Sequence, residues 1–301
     1  MHDLWDGTAR TTGSKALKRV AMRKSGLFAL FVLTGIMVAG QEGRSPAQDT
    51  DVGFSDTPLL PGLRYHVHDP LRPHPKVVTP GALAAQPPSD AIVLFDGTGL
   101  SKWTAARLGP ATYTVSSNPA PWKTQHGYFE VVPGSGDIAT KEKFGDVQLH
   151  VEWMEPPGVT GASQNRGNSG IFLMGLFEIQ VLDSYMSPTY ADGQAGAIYG
   201  QWPPLVNAAR KPGEWQTYDI VFEAPAFDGG KRTRSAYMTV FLNGVLLHNH
   251  KEAMGPTVYR RIPRYVDGPS EGPIVLQDHR HPVRFRNIWA RRVGRYDEPE
   301  K

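Results

Sequence analysis

The chain has 301 residues, with 32 Lys and Arg against 29 Asp and Glu, 32 glycines, 26 prolines and no cysteine. Lack of cysteine excludes a disulfide scaffold, a zinc ribbon, a thiol nucleophile and a lipid-modified N-terminal Cys. The Gly and Pro content is too turn-rich for a helical bundle, and seven Trp, eleven Tyr and twelve Phe supply too much core material for a disordered chain.

In chain order, Lys15 to Lys24 form a basic segment, followed by the apolar stretch Gly26–Gly40 and the small residues Val38-Ala39-Gly40. That order, charged then apolar then small, predicts a secretory signal over residues 1–40, with Met22 as an alternative start. The apolar run falls short of the roughly 20 residues a spanning helix needs, so the only membrane contact expected is through the signal itself. Without residues 1–40 the formal charge changes from +3 to −1, which speaks against a basic face for nucleic acid. A periplasmic or secreted bacterial protein is expected. Residues 41–90 hold nine prolines and read as an extended arm or linker, with Tyr65–His68 its only strand-like piece.

From Ala91 the texture changes. Ala91–Phe95 is apolar and ends in the turn signal Asp96-Gly97; Val147–Met154 alternates strictly, with Val147, Leu149, Val151 and Trp153 on one face. Gly170–Leu173 and Phe177–Leu182 are short β-rich runs, and Thr217–Glu223 turns Tyr218, Ile220 and Phe222 inward. Met238–Leu242 and Val245–His248 flank Asn243-Gly244, a strong hairpin signal. Ile274–Gln277 and Val283–Arg291 complete the pattern, and residues 294–301 form a tail. Many short strands between Gly/Pro turns predict an antiparallel sandwich or jelly roll.

LFDGTGLSKW (94–103), GNSGIFL (167–173), FEIQVLDS (177–184), GAIYG (196–200), PGEWQTYDIVF (212–222), VFLNGVLLHN (240–249) and GPIVLQDHRHPVRFRNIW (272–289) together resemble the domain of unknown function 1080, the 3-keto-disaccharide hydrolase domain. The resemblance spans about Ala91–Val293. It implies an all-β fold, a concanavalin A-like jelly-roll sandwich of two antiparallel sheets, and an exported hydrolase or lyase acting on oxidised disaccharides beside a dehydrogenase that makes the ketone. A non-catalytic carbohydrate-binding module and a family 16-like β-glucanase are the competing readings. Many members of the resembled family carry Arg and Tyr where this chain has Leu176 and Phe177.

On a strand, Glu178 and Gln180 share a face, and a bulge after Gln180 would return Asp183 to it. This row is similar to the E-x-D-x-x-E strand of the family 16 glycoside hydrolases, with Gln180 and Asp183 replacing the middle Asp and last Glu. The departure disfavours an ordinary retaining glucanase, whose carboxyls must lie about 5–5.5 Å apart. A 3-keto sugar needs one base for the C2 proton and a donor for the enolate oxygen. Glu178 and His279 are candidate bases, and Glu178, Asp183 and His279 form the expected catalytic set. Arg166, Arg286 or a bound cation could hold the oxyanion. Asn168 in the glycine-rich stretch 166–170, Gln180, Gln277, which shares a strand face with His279, and the loop indoles Trp202 and Trp215 are the remaining expected substrate contacts. Trp153 and Trp289 are expected in the core. His66/His68, His248/His250 and His279/His281 have chelating spacing, but two histidines fall short of a metal site. No D-x-D-x-D-G loop is present, so no metal ligands are assigned and a divalent cation is admissible without being required.

Overall fold

The computed structural model describes residues 52–109 and 113–297; the expected signal segment lies outside the described residues. The strands are β1 (Ile92–Phe95), β2 (Trp103–Leu108), β3 (Tyr113–Pro119), β4 (Lys123–Gln125), β5 (Tyr128–Glu130), β6 (Asp137–Phe144), β7 (Val147–Met154) and β8 (Ser169–Leu173). They continue as β9 (Phe177–Val181), β10 (Gln216–Glu223), β11 (Ala226–Asp228), β12 (Lys231–Arg234), β13 (Tyr237–Leu242), β14 (Val245–Glu252), β15 (Gly272–Leu276) and β16 (Arg284–Arg292). Helical structure among the described residues is confined to 3-10 turns at Ser163–Asn165 and Ala191–Gly193.

Two antiparallel sheets make the sandwich. One runs β14-β13-β10-β7-β16-β5-β4, with β1 also on β16; the other runs β3-β2-β6-β15-β8-β9. The alternation in the sequence explains the layering. Val147, Leu149, Val151 and Trp153 of β7, with Tyr218, Ile220 and Phe222 of β10, meet Ile138, Ile171, Ile179 and Leu276 of the six-stranded sheet in one buried cluster. Asn243 and Gly244 both take positive φ, 54° and 79°, the backbone a tight β13–β14 hairpin requires. Strands β2, β3 and β6 carry no clean alternation and were not among the expected elements.

Residues 52–90 form the arm of the two expected alternatives, arm or linker. They contain a small hairpin, bridged at Leu59 and His66, and then cross the outer face of the eight-stranded sheet. There the Ala85 carbonyl accepts both the Asn287 amide (2.8 Å) and the Trp289 indole (3.0 Å), and Asp90 pairs with Arg291 at 2.8 Å. Trp289 is therefore buried, as expected, but under this arm and stacked on His150 at 5.1 Å rather than between the sheets.

Candidate functional site

The site grows from the register of β8 and β9. Phe172 pairs with Glu178 and Gly170 with Gln180, without a bulge, so these four share the face turned away from the inter-sheet core. Val275 lies opposite both Phe172 and Ala139, and Asp137 opposite Ala106, so the same face continues across β15, β6 and β2. Ala106, Tyr113, Ala139, Phe172 and Val275 form a small apolar cluster there. The alanines leave room for the Tyr113 ring, which reaches from the β2–β3 hairpin to within 5.2 Å of the Phe172 ring. This floor of small residues is what lets one end of the hairpin cover the face.

Glu178 sits at the edge of that cluster, 5% exposed. Glycine at 170 makes its position possible: a Cβ there would stand 2.5 Å from the Glu178 Oε1 and 2.9 Å from the Phe172 Cε2. Burial, and secondarily the charge of Asp137, pushes the Glu178 carboxyl up to about 8. Asp137, half-buried, accepts the Asp278 amide at 2.7 Å; burial outweighs its backbone hydrogen bonds and raises it to about 6. The Tyr113 hydroxyl is buried without a hydrogen-bond partner among the described residues, and burial, then the charges of Asp137 and Glu178, hold its pKa well above the usual phenol range. The wall beside Glu178 comes from the loops after β9 and β14. Thr257 Oγ1 accepts the Glu178 amide at 2.9 Å, Tyr199 donates its amide to the Glu178 carbonyl, and the Tyr199 and Tyr190 hydroxyls lie 2.6 Å apart.

Asp183 does not join this face. It lies two residues past the end of β9, beyond the β8–β9 register, and its surroundings are those of Arg166, Gly167 and Glu155. There the Arg166 Nε donates to Asp183 Oδ2, and Glu155, two residues beyond the inward Trp153, comes in from β7. Gly167 is the point of close approach, its missing Cβ 2.6 Å from the Glu155 Cγ and 3.2 Å from the Asp183 Cβ. Burial raises the Glu155 carboxyl to about 8, Asp183 raising it further and Arg166 opposing. The expected Glu178–Asp183 row is thus two separate carboxyl environments, and Arg166 is committed to that of Asp183, with a further bond to the Val159 carbonyl at 3.2 Å.

Other expected contacts are also taken up by the fold. Gln180 is buried, its Nε2 donating to Gln164 Oε1 at 2.9 Å, and the buried Asn168 donates to the Gln164 carbonyl at 2.8 Å. Both brace the 3-10 turn beside β8. Trp202 donates to the Glu252 carbonyl at 2.8 Å, and Lys251 Nζ lies 3.4 Å over its ring, covering one face. Arg286 and Trp215 belong to the outer face of the opposite sheet. Arg286 pairs in register with Glu152, donates to it at 2.6 Å and stacks 4.0 Å above the Trp215 ring, so neither can reach a sugar held at Glu178. Gln277 is half-buried, one residue past the end of β15. His279 stacks on His281 at 5.9 Å; loss of hydration, then the neighbouring imidazole, keeps it below the usual histidine range. No group of three or more His, Asp or Glu among the described residues is arranged to hold a metal.

Sequence reasoning passed over Asp137, Tyr113 and Glu155. Glu155 was legible as the next inward position after Trp153. Asp137 and Tyr113 were not, because nothing local shows that the start of β3 brings its tyrosine ring against Phe172 of β8.

The 3-keto-alpha-glucoside-1,2-lyase-like domain family matches residues 90–291. Among solved structures, a Parabacteroides distasonis protein described as a "putative glycosyl hydrolase" is 48% identical, with TM-score 0.68 over 73% of this chain and 93% of its own. A second protein of the same description and organism is 19% identical, with TM-score 0.48 over 68% of this chain and 94% of its own. No curated protein matches the chain.

Proposed function

Because this chain belongs to the 3-keto-alpha-glucoside-1,2-lyase-like family, we propose that it cleaves 3-keto-glycosides by removing the proton at C2 and releasing the C1 substituent, with Glu178 as the base. The observation that carries this reading is the Glu178 carboxyl, buried beside an apolar floor and raised to about 8 by loss of hydration. A C3 ketone acidifies the C2 proton, and a base with a pKa near the working pH is what its removal calls for.

The geometry weighs against a retaining β-glucanase. Such an enzyme needs two carboxyls about 5–5.5 Å apart on one face, and Asp183 lies past the end of β9 with Arg166. The proposal includes export to the periplasm or beyond, supported by the charged, apolar and small order of residues 15–40.

The test is incubation of the purified protein with a 3-keto-disaccharide and, in parallel, its unoxidised parent, followed by NMR in D2O. Consumption of the oxidised sugar alone, with a 1,2-unsaturated keto sugar as first product, is expected. Cleavage of the parent sugar would overturn the proposal. Binding of either sugar without turnover would make the protein a carbohydrate-binding module. The pH profile gives a second check: kcat/KM rises about tenfold per pH unit and levels near pH 8, as Glu178 ionises.

A further inference from the structure

The outer face of the six-stranded sheet holds a second polar group that the fold does not use. We propose that Tyr113 is a catalytic residue of this site, its phenol donating a hydrogen bond to the C3 oxygen of the sugar while Glu178 takes the C2 proton. The assignment rests on the reading of Glu178 as the base.

Three observations carry it. The Tyr113 hydroxyl is buried with no partner among the described residues, in a residue only 7% exposed, and buried hydroxyls ordinarily find one. Its ring is held by packing rather than by that hydroxyl: it lies against Phe172 at 5.2 Å, over Ala106, Ala139 and Val275. Phe172 is also the direct cross-strand partner of Glu178, so one aromatic ring separates phenol and carboxyl on a single face. An unpaired donor fixed in an apolar wall beside a base is the arrangement that stabilises charge developing on a ligand oxygen, because it needs no reorganisation at the moment of reaction.

In the step, the C2–H bond breaks and its proton passes to the Glu178 carboxylate. The electron pair forms the C2–C3 double bond, and the carbonyl pair moves onto O3, where the Tyr113 O–H receives it as a hydrogen-bond donor. The pair then returns to restore the ketone. The C1–O bond breaks with its electrons on the departing oxygen, which is protonated by water, leaving a C1–C2 double bond. No electrons are gained or lost overall.

The experiment compares the full chain with its Tyr113→Phe and Glu178→Gln variants on a 3-keto-disaccharide, reading kcat, KM and C2 hydrogen–deuterium exchange. Tyr113→Phe is expected to lower kcat and C2 exchange about 100- to 1,000-fold, to leave KM within about threefold, and to keep the rise of kcat/KM toward pH 8. Its melting temperature should equal or exceed that of the parent, since only an unpaired hydroxyl is removed. Tyr113→Phe with parental kcat in an active protein would overturn the Tyr113 assignment and leave Glu178 untouched. A parent that neither exchanges C2 nor cleaves would overturn the functional reading and this assignment with it. Site-specific fluorotyrosine at 113 keeps ring and hydroxyl and is the second variant: a changed kcat at constant KM is expected, and an unchanged kcat would refute the donor role.

Discussion

Glu178→Gln should make the protein inactive and, at neutral and alkaline pH, more stable. The carboxyl titrates near 4.5 when exposed and at about 8 in the fold, so the folded state holds the proton more tightly. The sign follows: the group's contribution is complete below pH 4.5 and is lost as pH rises through 8. At about 1.36 kcal/mol per pH unit, the unfolded chain, whose carboxyl ionises from pH 4.5 upward, gains on the native one by about 3 kcal/mol at pH 7 and about 5 kcal/mol above pH 8. The residue is 5% exposed, so little solvent screening offsets this. Glutamine has the same shape and no charge to bury. Asp137 and Glu155, raised to about 6 and about 8, add slopes of the same sign in both proteins, and the difference isolates position 178. Urea unfolding followed by tryptophan fluorescence from pH 4.5 to 9 reads the effect. Near-equal stabilities are expected at pH 4.5, and a variant more stable by several kcal/mol at pH 8.5. Parallel profiles across the whole range would show a carboxyl that ionises as it does in water, and would refute the argument from burial.

Gly170→Ala places a methyl 2.5 Å from the Glu178 Oε1 and 2.9 Å from the Phe172 ring. Because the carboxylate end can swing away, a stability loss of about 1–3 kcal/mol with a much larger fall in kcat is expected; unchanged kcat would mean that the Glu178 position is not critical. Asp183→Asn removes the partner of Arg166, whose side chain still reaches solvent, so about 1–3 kcal/mol is lost on urea unfolding. Cleavage should stay within about tenfold of the parent, and a folded but inactive Asp183→Asn would reinstate Asp183 as a catalytic group. Arg286→Ala leaves the buried Glu152 short of a donor. Although burial opposes it, the His150 imidazole 3.8 Å away and hydrogen bonds from Asn287 and Arg286 hold Glu152 at about 2, a contribution present above pH 4.5 and lost as pH falls toward 2. The variant should lose part of this at pH 7 by urea unfolding, with kcat/KM unchanged; a large drop in kcat/KM would place Arg286 in the site after all.

The elements with clean alternation were legible in the sequence: β7, β10 and the Asn243-Gly244 hairpin hold the positions their patterns demand. So was the shared face of Glu178 and Gln180, which needs only a period of two. Asp183 did not join them because β9 ends at Val181, and past a strand end a period of two no longer says where a side chain goes; Arg166 takes it instead. Arg286 and Trp215 failed for a different reason. Local sequence says which residues share a strand face, but not which of two sheets the strand joins, and β16 pairs with β7 in the sheet opposite Glu178.

That division also separates polar groups that hold the fold from those left for a ligand. On the outer face of the eight-stranded sheet charge answers charge: Arg284 with Glu130, Arg286 with Glu152, Arg291 with Asp90, and His150 Nδ1 at 2.7 Å from Asp219. Across the sandwich, Glu178 is raised by burial rather than met by a donor, and Tyr113 has no acceptor among the described residues. Each weakens the empty protein, by the cost of a buried ionisable group and of an unsatisfied hydroxyl. Neither cost is needed for packing, since Gln and Phe would fill the same space. A ligand that brings an acidic C–H to the carboxyl and an oxygen to the phenol relieves both at once, and a 3-keto sugar carries the two on adjacent carbons.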